Sequence, residues 1–81
     1  MPTGAEVARR YLRDTTFERV SVRFPLGCRV IEKATGHIYV RGVEAPGNRF
    51  WFLRITPGYL SHKLTIAACL VEARFELEAA Q

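Results

Sequence analysis

Cysteine, lysine and aspartate are scarce in this 81-residue chain: Cys28 and Cys69, Lys33 and Lys63, and the single Asp14. Two cysteines are too few for a disulfide framework, which makes a reducing cytoplasm the expected location. No apolar run approaches the roughly 18 residues of a membrane span, and Met1-Pro2-Thr3-Gly4 lacks the charged-then-apolar start of a secretory signal. Catalytic constellations are missing as well. Asp14 lies far in sequence from Ser61 and His62, and an adjacent Ser-His pair on a strand points to opposite faces. Cys28, His37, His62 and Cys69 lack the close paired spacing of a structural zinc site. No glycine-rich phosphate loop follows an apolar run. A binding module without enzymatic activity, metal or cofactor is the expectation.

What the chain does have is arginine and aromatic surface. Twelve bases stand against eight acids, a net charge of +4, and all but the two lysines are arginine. Residues 1–63 carry +6, whereas residues 64–81 carry −2, through Arg74 against Glu72, Glu76 and Glu78. A basic body with an acidic tail points to an anionic partner. Arginine fits that role because its planar guanidinium grips phosphate bidentately and stacks on bases, although arginines also serve as plain solvated surface. With 48% apolar residues, five Phe, three Tyr and one Trp, residues 1–81 should fold as a single domain.

Along the chain, Thr3 and Glu6 form a capping box for a helix over 3–14, with Val7, Ala8, Tyr11 and Leu12 on one side. Arg9, Arg10 and Arg13 fall on the other side as a candidate phosphate-binding patch. Residues 16–78 then read as β structure, with 79–81 as a tail. Val20, Val22 and Phe24 alternate with Arg19, Ser21 and Arg23 as a half-buried strand would, ended by Pro25-Leu26-Gly27. Extended structure resumes at 28–33, and Ala34-Thr35-Gly36 reads as a hairpin turn. Residues 37–43 form the next strand, with a bend or bulge at Gly42. After the turn Ala45-Pro46-Gly47-Asn48, the run Arg49–Ile55 predicts a central strand covered on both faces. At least two of Phe50, Trp51 and Phe52 should be core, and strand alternation allows one exposed ring. Residues 63–80 read as two strands or one bulged strand by alternation, with a helix capped by Ser61 on the spacing Leu64-Ala67-Ala68-Val71-Phe75 as the alternative.

Two stretches carry a family resemblance. Ala8–Arg13 leads into Glu18-Arg19-Val20-Ser21-Val22-Arg23-Phe24-Pro25-Leu26-Gly27, and Ile38-Tyr39-Val40-Arg41-Gly42-Val43-Glu44 runs through a turn into 48–55. They resemble the Sm-like family: an Arg-ended helix, a V-x-V first strand closed by glycine, and a glycine-bent second strand before an apolar third. Tyr59 and His62-Lys63 fall near that family's Tyr-Lys-His element. The resemblance implies a mainly β fold, in which an N-terminal α-helix precedes a five- to six-stranded antiparallel, Sm-like or SH3-like barrel. It further implies single-stranded RNA as partner, rings of six or seven copies, an RNA-contacting rim at Arg9, Arg10 and Arg13, and uracil or phosphate contacts by Tyr59, His62 and Lys63. Asn48 and Arg49, at a turn tip, are added on their own chemistry, since an amide bonds base edges and a guanidinium stacks on them. Apolar edge strands favour a homo-oligomer independently. A protein-binding adaptor is the rival expectation.

Overall fold

The computed structural model describes residues 16–78. They form a mainly β unit of five antiparallel strands and two helices. A helix, α1, covers 16–23. It is followed by β1 (Arg29–Glu32), β2 (Ile38–Ala45), β3 (Arg49–Arg54), β4 (His62–Ala67), α2 (Ala68–Arg74) and β5 (Phe75–Leu77). The strands make one sheet in the order β4-β3-β2-β1-β5. β1 to β4 are a hairpin meander, and α2 carries the chain from one edge of the sheet to the other.

Strand alternation divides the sheet into two faces. Val30, Tyr39, Phe50, Phe52, Ile66 and Phe75 point to one side, where Val20 of α1, Phe24 just after it, and Ala68 and Val71 of α2 complete a buried core. Phe17 of α1 stacks on Phe50 with ring centroids 5.0 Å apart. Phe52 of β3 stacks on Phe75 of β5 at 4.5 Å, and Tyr39 meets Phe75 edge-on. In a flat sheet, strands three places apart lie about 14 Å from each other. The ring contact therefore requires the sheet to curl around its core. It does not close: β4 and β5 remain opposite edges, so the expected barrel is an open sheet with two helices on its concave face.

Two further expectations are corrected. The segment containing Val20, Val22 and Phe24 is helical, so the first-strand motif of the Sm-like resemblance lies on α1 and its end. The reason is packing. Phe17, Val20 and Phe24 recur at helical spacing and fill the space above the sheet, whereas Val22 is left 81% exposed. Two salt bridges from Glu72 of α2, to Arg19 at 2.7 Å and Arg23 at 2.6 Å, hold α1 in place. In residues 63–80 both readings hold in part, as a strand, a seven-residue helix and a short strand. The helix expected over 3–14 lies outside the described residues.

Turns fall where the sequence placed them. Gly27, Gly36, Gly47 and Gly58 take positive φ, and Asn48 joins them at 55°. Gly42 and Val43 together oppose Trp51, a bulge that shifts the β2–β3 register between Arg41 and Glu44. Among the described residues no helix is long and apolar enough to cross a membrane.

Candidate functional site

Both helices pack on the core face, so the other face of the sheet has no helix of the described residues against it. Its side chains follow from register. Arg49, Trp51 and Leu53 of β3 point outward, opposite Ala67, Thr65 and Lys63 of β4 and beside Val40 of β2. Among the described residues the run Arg49–Arg54 is thus covered on one face only. Phe50 and Phe52 are buried, and Trp51 is 41% exposed.

Trp51 stands over a groove of about 380 Å³ walled by Val40, Val43 and Leu53, with Lys63 at its rim. Its floor is Gly42. A methyl group there would lie 3.1 Å from Trp51 Cβ and 3.3 Å from the Trp51 carbonyl oxygen. The bulge and the missing side chain let β2 approach the Trp51 backbone and Cβ this closely, and the volume is within the range of small-molecule pockets.

The other candidate residues separate. Asn48 and Arg49 lie where the sequence put them, at the β2–β3 turn and the start of β3, both exposed. The Asn48 carbonyl accepts a 2.9 Å hydrogen bond from the Ala68 amide, which fixes the turn against the start of α2 and leaves the Asn48 side chain outward. His62 and Lys63 point to opposite faces: Lys63 opposes Leu53 at the groove, and His62 opposes Arg54. Tyr59 belongs with Arg54. The guanidinium lies 5.6 Å from the Tyr59 ring and donates from Nε and a terminal nitrogen to the Leu60 carbonyl, at 3.2 and 3.0 Å. The Tyr59 ring also meets His37 edge-on at 4.7 Å, and His37 Nδ1 is 3.1 Å from the Thr56 hydroxyl. Tyr59 and His62 therefore share one end of the sheet with Arg54, and Lys63 lies apart from them, at the groove with Trp51. Arg9, Arg10 and Arg13 lie outside the described residues.

Two charged groups passed over by sequence reading lie on the core face. Glu32 accepts from Arg74 Nε at 2.7 Å and from the Thr35 hydroxyl. The Thr35 hydrogen bond first, and then Arg74, hold its carboxyl below the usual range against the opposing effect of burial. Arg41 has a side chain only 7% exposed, and its guanidinium sits 4.4 Å from the centre of the Phe50 ring. Glu44 is 3.7 Å away, beyond hydrogen-bond reach, and two buried guanidinium nitrogens have no hydrogen-bond partner among the described residues. No sequence pattern marks Arg41, because a base alternating with apolar residues in a strand normally faces water. Burial raises the pKa of the nearby Cys28 thiol, and the Arg41 charge offsets this in part.

Among the described residues no group of three or more His, Cys, Asp and Glu is placed to hold a metal ion. Comparison of the chain with family models, curated proteins and solved structures finds no match.

Proposed function

We propose that this protein is a non-enzymatic, cytoplasmic module that binds single-stranded nucleic acid, RNA in the first instance, on the open face of its sheet. The observation that carries this reading is Trp51: half-exposed over a glycine-floored groove, with Arg49 two residues before it on the same face and Lys63 at the rim. An aromatic plane beside cations is the basic unit of single-strand recognition. Each stacked base contributes about 1–3 kcal/mol, and the cations add salt-dependent phosphate attraction. Asn48, at the adjoining turn, supplies an amide for a base edge. Arg9, Arg10 and Arg13 would add phosphate contacts, and Tyr59 with His62 would serve a second, separate contact.

A second reading rests on the groove walls. Val40, Val43, Leu53 and the indole would equally receive an apolar side chain of a protein partner, as an adaptor requires.

Anisotropy titrations of a short labelled single-stranded RNA at low and moderate salt separate the two. Affinity falling by orders of magnitude between about 50 and 200 mM salt supports the nucleic-acid reading. Trp51→Ala and Lys63→Ala should each weaken binding. Absence of binding at low salt would overturn this reading and leave the adaptor.

A further inference from the structure

We propose that the β4 edge is a self-association surface, on which two copies of this chain pair β4 against β4 in antiparallel register about a two-fold axis through Thr65. The inference is independent of nucleic-acid binding.

β4 is an edge strand of six residues whose pairing with β3 runs without a register break from His62 to Ala67. The Ala68 amide donates to the Asn48 carbonyl. In an antiparallel ladder that pair sets the alternation, so His62, Leu64 and Ile66 exchange hydrogen bonds with β3. The backbone groups of Lys63, Thr65 and Ala67 then point off the sheet. Edges are normally blunted by proline, a bulge, charged side chains (lysine above all) or a covering element, and the one lysine of β4, Lys63, lies on the open face opposite Leu53. β4 has no proline and no bulge. α2 leaves it at Ala68 and runs beneath the sheet toward β5.

The outward groups specify the register. With Thr65 on the axis, the two Thr65 residues exchange both backbone hydrogen bonds, and the Ala67 amide of each copy donates to the Lys63 carbonyl of the other. That makes about four bonds in all. On the core face, Leu64 of each copy then lies opposite Ile66 of the other, extending the apolar layer across the junction. Lys63 faces Ala67, so no like charges are opposed. β5 is a weaker edge: it has three residues, of which Glu76 is acidic, with Glu78 following directly. Pairing about an axis normal to the sheet leaves both open faces on the same side. The two Trp51 residues, each directly opposite a Thr65, then stand about 14 Å apart across the joined sheet.

Size-exclusion chromatography with light scattering across a wide concentration range tests the pairing on the full chain. The expected result is a concentration-dependent dimer. Thr65→Pro removes an amide that faces away from β3, so circular dichroism should stay unchanged while the dimer is lost. Thr65→Lys brings two like charges together at the axis and should also give a monomer, so the test holds if the proline variant fails to fold. A wild-type monomer at every concentration would overturn the proposal. So would a closed oligomer larger than two, or a dimer that survives both substitutions.

Discussion

Gly42 and Trp51 face each other across a bulge so closely that a single methyl group on the glycine would stand 3.1 Å from the tryptophan Cβ and 3.3 Å from its carbonyl oxygen. The carbonyl belongs to the β3 backbone and cannot swing away as a side-chain tip would. Gly42→Ala should therefore displace Trp51, shift its fluorescence emission and weaken RNA binding. Because the site lies on the open face, the core should stay folded. Unchanged emission and affinity would show that the groove floor tolerates the methyl group.

Trp51 and its neighbour Phe52 should respond oppositely to truncation. Phe52→Ala empties a buried site stacked on Phe75, and should cost about 3–5 kcal/mol by urea denaturation. Trp51→Ala removes a half-exposed ring and should cost no more than about 2 kcal/mol. Its RNA affinity should drop by about 1–3 kcal/mol. Equal losses of stability would mean that the indole is core.

Acid should loosen the contacts that hold the helices. The Arg19 and then the Arg23 hydrogen bonds depress the Glu72 pKa, and Thr35 with Arg74 depresses that of Glu32. Both lie below the ordinary value of 4.5, so the unfolded chain binds protons that the folded protein does not. Their stabilisation is complete well above pH 4.5 and is lost as pH falls through the depressed values. Melting temperature should be flat near neutrality and fall below about pH 4.5, with a shallower fall in Glu32→Gln. An identical acid profile in that variant would rule out Glu32 as a contributor.

Arg41 is a buried base with two nitrogens that have no hydrogen-bond partner among the described residues, a costly arrangement. Replacing such a group by an apolar chain of similar length is often neutral or stabilising. Arg41→Met should change unfolding free energy by less than about 1 kcal/mol, or raise it. A loss of several kcal/mol would show that the contact with Phe50 outweighs the desolvation of the charge.

The thiols should differ in reactivity. Cys69 is exposed, whereas Cys28 is half-buried with its pKa raised by burial. Iodoacetamide near neutral pH should modify Cys69 first and Cys28 slowly, a two-phase course that mass spectrometry resolves. Simultaneous modification would contradict the burial of Cys28.

Local chemistry made much of this protein legible. Pro25-Leu26-Gly27, Ala34-Thr35-Gly36, Pro46-Gly47-Asn48 and Pro57-Gly58 punctuate the chain because few other residues accept those backbone angles, and the strands between them follow. The bulge at Gly42 and a single exposed ring among Phe50, Trp51 and Phe52 were readable for the same reason. Nothing local chose between helix and strand for 16–24, where Val20, Val22 and Phe24 satisfy one period and Phe17, Val20 and Phe24 the other. The choice fell to the helix, whose spacing seats three apolar groups against the core face of the sheet. Tertiary structure alone kept the sheet open, by sending α2 under it from β4 to β5, and decided which face the helices cover, so that Trp51 rather than Phe50 or Phe52 is the exposed ring. Such features depend on what lies across the sheet from a residue, and a one-dimensional pattern carries no information about that.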